Sequence, residues 1–257
     1  MLKSILAAGL FAGLSTVAAV IPAQAKEWKE IRIATEGAYP PFNFVAADGS
    51  LQGMDVEIGK ALCAAMQAKC TIVANDGDGM IPGLKSNKFD AVLASMSITE
   101  ERKKQVAFTD KYYSTPLAVA VPKDSAITSV DVEALKGKTI GAQASTTQAT
   151  YAEDVYAKGG AEAKLYPTAD EANADLKSGR LDAVVSDKFP LVDWLKADGA
   201  DCCKLLGDVP GTQTAAGIAV RQEDNDLREQ LNAAIKKIRD DGTYATIVKK
   251  YFDFDIY

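Results

Sequence analysis

The sequence predicts an α/β protein of two similar lobes, each a mainly parallel sheet flanked by helices, joined by a two-strand hinge. Three observations lead to this prediction. The segment LKSNKFDAVLAS (residues 84–95) recurs as LKSGRLDAVVSD (residues 176–187), which indicates an internal duplication. Around both copies, short apolar strands alternate with helices, the pattern of βαβ units. Two extended segments flank the second copy, and each can cross from one lobe to the other.

The first lobe is predicted to comprise residues 26–115 plus residues 213–257. Its strands are Ile31–Ala34, TIVAN and FDAVLAS. The stretches AYPPFNF and DGSLQG are interpreted as a Pro-rich loop and a turn, because Pro and Gly interrupt regular structure. A helix after Asp55 is predicted from apolar residues at helical spacing. These residues are Ile58, Ala61, Leu62, Ala65 and Met66.

The second lobe is predicted to comprise residues 116–212 and to repeat the order strand, helix, strand, helix, strand. Its first strand is KTIGAQ and its last is LDAVVSD. After the second crossing the chain ends in two helices, separated at Gly242. The first of them carries one apolar stripe, made of Leu227, Leu231, Ile235 and Ile238.

Composition excludes several classes of function. The formal net charge is −6, and because no basic stripe offsets it, we expect no nucleic-acid partner. The chain contains no His, which excludes His-based catalytic triads, His general bases and His metal ligands. We expect neither a metal nor another cofactor.

The N-terminal residues 1–25 have the pattern of a secretory signal peptide. Lys3 precedes an apolar stretch from Ile5 to Ile21, and Ala23-Gln24-Ala25 matches a cleavage site. A membrane anchor is the alternative, which the Gly/Ala-rich stretch without a charged stop disfavours. We therefore expect an exported protein.

Export permits disulfide bonds. Cys63 on the predicted helix and Cys70 at the next strand are close in sequence and are predicted to pair, since two thiols without further ligands make an incomplete metal site. For the adjacent Cys202 and Cys203, a vicinal disulfide, free thiols and a cross-link between chains all remain open. Their charged, Gly-containing surroundings indicate a surface loop.

The repeat also predicts where a ligand binds. Ligands of open parallel sheets lie outside the C-terminal ends of the strands. With two lobes face to face, the duplication places Ala94–Ser97 on one wall of a cleft and Ser186 and Asp187 on the other.

Arg102 is the predicted anion ligand of this cleft. In SITEERKK, either Ser97 or Thr99 can cap a helix, which places Arg102 in its first turn. The helix dipole disfavours a cation there unless an anion binds, and Arg holds a carboxylate by two parallel hydrogen bonds. The alternative is an exposed Arg paired with Glu100 or Glu101.

Acids and hydroxyls complete the predicted cleft. Glu36 ends the first strand near the aromatic Tyr39, an arrangement that suits a cation, although a surface Glu and a core Tyr remain the alternative. Asp187 lies on the opposite wall. One fixed cation and two acids suit an amino acid with a second positive charge. Hydroxyls at the start of a helix come from Ser145, Thr146 and Thr147.

These segments resemble the periplasmic solute-binding proteins of polar amino-acid ABC importers, especially the lysine/arginine/ornithine- and histidine-binding group. The resemblance implies a type II periplasmic binding protein fold and a periplasmic monomer. It also implies that hinge closure delivers a cationic amino acid or a derivative to an ABC permease in the inner membrane. The segments that show the resemblance are IRIATEGAYPPFNF, GMDVEIGKALCAAM, MIPGLKSNKFDAVLASMSITEERKKQVAFTDKYY and DGTYATIVKKYFDFDIY.

The resemblance also implies roles for single residues. Arg102 would hold the ligand α-carboxylate, helped by Ser97 and the Thr146/Thr147 region. Asp187 would hold the α-ammonium with help from Ser95, Glu36 would face the cationic side chain, and Tyr39 would pack on it. Cys63 and Cys70 match the family's disulfide positions. The full predicted binding site is Glu36, Tyr39, Gly77, Ala94, Ser95, Met96, Ser97, Arg102, Gln143, Ser145, Thr146, Thr147 and Asp187.

Three positions depart from the family pattern. Gly77 stands where the family usually has an aromatic that sandwiches the ligand against Tyr39. Ala94 stands where relatives often carry Ser, and Glu36 replaces the shorter Asp of some relatives. A bulkier basic compound, such as an arginine conjugate, is therefore compatible with the site. The expected function is binding rather than catalysis, and the alternatives are a dehydratase- or lyase-like enzyme on the same fold or a ligand-presenting sensory partner.

Overall fold

The computed structural model describes residues 28–257. The predicted signal peptide, residues 1–25, lies outside the described residues. Two five-stranded sheets form the centres of two lobes, and a small three-stranded sheet lies beside the first. Helices pack against both large sheets.

The first large sheet consists of the strands β1 Glu30–Thr35, β5 Lys69–Ala74, β6 Ala91–Val92, β7 Ala107–Thr115 and β13 Thr214–Val220. Their order in the sheet is β5-β1-β6-β13-β7. Strand β1 is parallel to both of its neighbours, β5 and β6. Strand β13 is antiparallel to β6 and to β7.

The second large sheet consists of the strands β8 Leu117–Pro122, β9 Thr139–Gln143, β10 Glu162–Tyr166, β11 Ala183–Asp187 and β12 Cys203–Asp208. It repeats the arrangement of the first sheet in the order β10-β9-β11-β8-β12. Strand β9 is parallel to β10 and β11, and β8 is antiparallel to β11 and β12. Each sheet is therefore mixed, with four strands in one direction and one strand, β13 or β8, in the other.

Eight α-helices lie in the described part of the chain. The fourth continues into a wider π-helical segment, Ala152–Ala157, and short 3₁₀ turns occur at Gly77–Gly79 and Val132–Leu135. The predicted helix after Asp55 is present, and its Ile58 and Leu62 are fully buried. The helices are α1 Met54–Met66, α2 Met80–Lys85, α3 Glu100–Lys103, α4 Thr147–Tyr151, α5 Ala169–Lys177, α6 Lys188–Lys196, α7 Asn225–Asp240 and α8 Thr243–Val248.

The three-stranded sheet corrects the interpretation of AYPPFNF and DGSLQG as a loop and a turn. Its strands are β2 Ala38–Tyr39, β3 Asn43–Val45 and β4 Leu51–Gln52, paired in antiparallel order. Strands of two or three residues are too short to show alternation of apolar residues. A buried Asn43 holds them in place, since its side chain accepts from the Gly37 amide and donates to Asp55.

Two crossings connect the large sheets. Pro116 alone separates β7 in the first sheet from β8 in the second, and residues 209–213 connect β12 to β13. These strand ends support our proposal that residues 26–115 with 213–257 and residues 116–212 are the two lobes, and that the crossings are the hinge.

The first lobe has the larger apolar core. The predicted stripe of α7 faces it, and all four residues of that stripe are at most 3% exposed. Helices α1 and α8 pack on the same face. Burial of this amphipathic face, rather than helix propensity, holds α7 in place.

Both cysteine pairs form disulfides. Cys63 in α1 is bonded to Cys70 in β5, as predicted. Cys202 is bonded to its neighbour Cys203, which selects the vicinal disulfide among the three open alternatives. Cys203 begins β12 and is buried, so the expectation of a surface loop for this residue is wrong.

Replacing Cys63 and Cys70 with alanine is expected to lower the free energy of unfolding by about 2.5 kcal/mol, because the open chain regains loop entropy when it unfolds. The bond links residues separated by 7 positions. Urea unfolding measures the change. Replacement of Cys202 and Cys203 is the comparison, and it should cost less loop entropy because neighbours enclose no loop. An unchanged urea midpoint for the first variant would contradict the prediction.

Candidate functional site

One cavity between the two sheets is lined by all thirteen predicted site residues. Three further lining residues, Met80, Ala144 and Gln148, were missed. Ala144 and Gln148 are the sequence neighbours of predicted site residues, and this position could have indicated that they line the cavity. Met80 begins α2 and is apolar, and such a residue is indistinguishable from core in the sequence.

Arg102 reaches from one wall of the cavity to the other. Thr99 is the N-cap of α3, and its hydroxyl accepts a hydrogen bond from the Arg102 amide at 3.2 Å. The Arg102 guanidinium donates to the carbonyl of Ser97 at 2.8 Å and to the carbonyl of Ser145 at 3.0 Å. Burial lowers the pKa of Arg102, and the charge of Asp187 opposes this effect.

The alternative of an exposed, ion-paired Arg102 is wrong. Glu100 pairs with Lys103 at 2.8 Å, and Glu101 pairs with Lys104 at 2.6 Å. The two acids of this helix are therefore engaged by other cations, and Arg102 faces the cavity.

Asp187 ends β11 and is 2% exposed. One carboxylate oxygen, Oδ2, accepts from the Tyr39 hydroxyl at 2.7 Å. The other, Oδ1, has no hydrogen-bond partner among residues 28–257. Burial raises the pKa of Asp187 to about 6, against the lowering effects of the Tyr39 hydrogen bond and the Arg102 charge. A buried oxygen without a hydrogen-bond partner destabilises the folded protein. This oxygen can therefore accept a hydrogen bond from a ligand ammonium.

Glu36 is partly buried and also connects the two walls. The Gln143 side-chain amide donates to Glu36 Oε1 at 2.5 Å. Burial raises the pKa of Glu36 to about 7, and the Gln143 hydrogen bond moves it in the opposite direction. Negative charges at Asp170 and Asp76 raise this pKa further.

Gly77 lies directly against this pair. A Cβ placed on Gly77 would lie 3.3 Å from Glu36 Oε1 and 3.4 Å from Gln143 Nε2. A side chain at this position would press on the Glu36–Gln143 hydrogen bond. The absence of the aromatic noted in the sequence therefore leaves space that the cross-cleft pair occupies.

Hydroxyl groups line the part of the cavity near Arg102. Thr146 is the N-cap of α4; its hydroxyl accepts from the Ala149 amide and donates to the Gln143 carbonyl at 2.6 Å. The Thr147 hydroxyl lies 3.4 Å from that of Ser97. Ser97 belongs to the first lobe and Thr147 to the second, so two neutral hydroxyls meet across the cleft.

Ser95 lines the cavity but its hydroxyl is engaged elsewhere. It donates to the buried Asp55 Oδ2 at 3.0 Å, and the Tyr112 hydroxyl binds the other oxygen of Asp55 at 2.8 Å. Burial raises the pKa of Asp55 to about 6 against these hydrogen bonds. Toward a ligand, the Ser95 hydroxyl keeps only its acceptor lone pairs.

Within the described residues, no cluster of three or more His, Cys, Asp or Glu side chains could hold a metal ion. Residues 28–257 contain no helix that is both long enough and apolar enough to span a membrane.

The fold and site together define a class of protein. Two lobes of equivalent topology, joined by two crossings, enclose a polar cavity with a guanidinium and a buried carboxylate on its walls. This is the architecture of a two-lobed solute-binding protein. The chain belongs to the bacterial extracellular solute-binding proteins, family 3, whose family model matches residues 31–254.

Curated relatives cover almost the whole chain. The L-arginine-binding protein of Pseudomonas aeruginosa is 43% identical over 234 residues, which are 89% of this chain and 90% of that protein. The histidine-binding periplasmic protein of Escherichia coli is 38% identical over 262 residues, covering 100% of this chain and 99% of that protein.

A solved structure has the same fold. An ancestral arginine-binding protein bound to arginine superimposes with a TM-score of 0.83 at 36% identity, covering 88% of this chain and all of that chain. The match confirms the predicted two-lobed fold. The family and these relatives are binding proteins, which agrees with the expectation of binding rather than catalysis.

Proposed function

We propose that this protein captures a basic amino acid in the periplasm and, by closing its two lobes, presents it to the membrane permease of an ABC importer. Arginine and its close relatives, lysine, ornithine and histidine, are the proposed ligands. The names of the relatives support this ligand class, since they are an arginine-binding and a histidine-binding protein.

The observation that carries the proposal is the set of three charged groups around one cavity. The guanidinium of Arg102 suits the α-carboxylate, because its planar fork can donate two parallel hydrogen bonds. The unpartnered Oδ1 of Asp187 suits the α-ammonium. Glu36 remains for a side-chain cation, and a neutral amino acid would leave this partly buried acid without a countercharge.

Contacts across the cleft support closure as the working motion. The two walls are joined by hydrogen bonds from Tyr39 to Asp187, from Gln143 to Glu36 and from Arg102 to the Ser145 carbonyl. A ligand that contacts groups of both walls binds the closed form better than the open form, and it therefore shifts the population toward closure.

Thermal unfolding with a panel of amino acids tests the ligand class. At a concentration of 100 times Kd, a ligand stabilises the folded protein by ~2.7 kcal/mol, which corresponds to roughly 5–10 °C in Tm for a chain of this size. We expect such shifts with arginine, lysine, ornithine or histidine, and a much smaller shift with glutamate as the control. A panel in which none of the basic amino acids raises Tm would refute the proposal.

A further inference from the structure

A second cavity of about 340 Å³ adjoins the amino-acid site. It also lies between the lobes, and three residues, Glu36, Gly77 and Ala144, line both cavities. Its volume is at the lower end of the range for small-molecule sites. The remaining lining residues are Ala38, Asp76, Asp78, Leu165, Tyr166, Pro167 and Thr168.

The three residues that line both cavities form the boundary between them. It consists of the partly buried Glu36, the bare backbone of Gly77 and Ala144. The Glu36–Gln143 hydrogen bond crosses the cleft directly beside Gly77. A ligand cation that displaces the Gln143 amide from Glu36 would lie beside Gly77, which has no side chain and also lines the second cavity.

The chemistry of the second cavity suits a cation on an alkyl arm. Asp76, Asp78 and Glu36 contribute three carboxylates, and none of its described lining residues is Lys or Arg. Leu165 is 37% exposed and, with Pro167, offers an apolar surface beside these acids. A carboxylate at the end of a ligand arm would be repelled by the three acids. A purely apolar end would gain only the contact with the apolar surface of Leu165 and Pro167.

We propose that the second cavity is an extension of the amino-acid site. It takes a basic amino acid whose side-chain nitrogen carries a short alkyl arm that ends in a second cation. This inference rests on the proposed function, because Arg102 and Asp187 fix the end of the ligand from which the arm is measured.

Three lysine derivatives of matched length test the inference by calorimetry. They are Nε-(4-aminobutyl)lysine, Nε-pentyl-lysine and Nε-(4-carboxybutyl)lysine, and each keeps a positive charge at Nε. We expect the aminobutyl compound to bind within about tenfold of lysine or more tightly. It should bind at least about tenfold more tightly than the pentyl compound and about a hundredfold more tightly than the carboxybutyl compound. The reason is that the three acids of the second cavity attract the terminal ammonium, leave the neutral pentyl end without a charge interaction and repel the terminal carboxylate.

Two variants locate the effect. Asp76→Asn with Asp78→Asn should reduce the ratio of aminobutyl to pentyl affinity from about ten to below about three. Gly77→Phe should place a ring between the cavities, so that the affinity of all three derivatives falls relative to lysine. Should the Phe variant fail to fold, the double Asn variant and the three ligands still decide the question.

The outcomes separate the two proposals. Binding of lysine with no binding of any derivative would overturn the extension and retain the basic amino-acid site. Equal affinity for the three tips would overturn the acidic recognition. If neither lysine, arginine nor any derivative binds, both proposals are overturned. Binding of the aminobutyl compound without lysine would retain the extension and show that the smaller ligand class is wrong.

Discussion

Replacing Arg102 with alanine is expected to weaken amino-acid binding by at least about 100-fold. Loss of one member of a buried, hydrogen-bonded charge pair costs about 3 kcal/mol or more, which corresponds to this factor in Kd. The α-carboxylate would keep only neutral hydroxyls and backbone amides as partners. The variant would also lose the hydrogen bond from Arg102 to the Ser145 carbonyl across the cleft.

The fold of the ligand-free variant should be retained, because Arg102 lines the cavity and its guanidinium donates to two carbonyls, those of Ser97 and Ser145. Calorimetry measures Kd, and thermal unfolding without ligand checks the fold. Arg102→Lys keeps the charge but not the planar fork, and it should fall between wild type and Ala. Lys103→Ala on the same helix is the matched control, since Lys103 pairs only with Glu100 at the surface. Wild-type affinity in the Arg102→Ala variant would remove Arg102 from the site.

Arginine affinity is expected to fall on the order of 1000-fold when the pH is lowered from about 8 to about 5. Burial raises the pKa of Glu36 to about 7 and that of Asp187 to about 6 in the free protein. A raised pKa favours the neutral acid, and the cationic groups of arginine bind the charged acid. Binding is therefore strongest above pH 7 and declines as the pH falls through 7 and then 6, by up to about tenfold per pH unit for each group.

The same coupling predicts a proton count. At a pH of about 6.5, binding of arginine should release about one proton, mostly from Glu36, given pKa values of about 7 and about 6. Calorimetry in two buffers of different ionisation enthalpy measures this number. Glu36→Gln should reduce it to about 0.2 and should limit the loss of arginine affinity between pH 8 and pH 5 to about tenfold, the part due to Asp187. A pH-independent Kd in the wild type would show that neither acid faces a cation.

The duplicated segment explains how much of the fold was predictable. LKSNKFDAVLAS and LKSGRLDAVVSD lead into β6 and β11, the third parallel strand of each sheet. Amphipathic spacing found α1 and α7, because a helix that buries one face must repeat apolar residues at 3.6-residue intervals. The same reasoning failed for β2, β3 and β4, since strands of two or three residues carry no period.

Part of the site was predictable from strand ends and helix caps, whereas Gly77 and Gln143 were included because of the resemblance to the solute-binding family. Asp187 ends β11, and Thr99 and Thr146 cap the helices that carry or adjoin the ligand-facing groups. Residue type at such positions indicated charge and hydrogen-bonding capacity. It did not indicate which side chains form hydrogen bonds with each other. The N-cap of α3, Ser97 or Thr99, could be decided only from the backbone conformation of the structure.

The sequence by itself determined the duplication, the exported character and the chemical groups available to a zwitterion with an extra positive charge. Only the tertiary structure decided which groups face each other. The contact between Tyr39 and Asp187 joins residues 148 positions apart, and that between Glu36 and Gln143 joins residues 107 positions apart. Local patterns reflect the burial of each element against its own sheet, whereas these distances depend on how two separate lobes meet, which no short stretch of chain encodes.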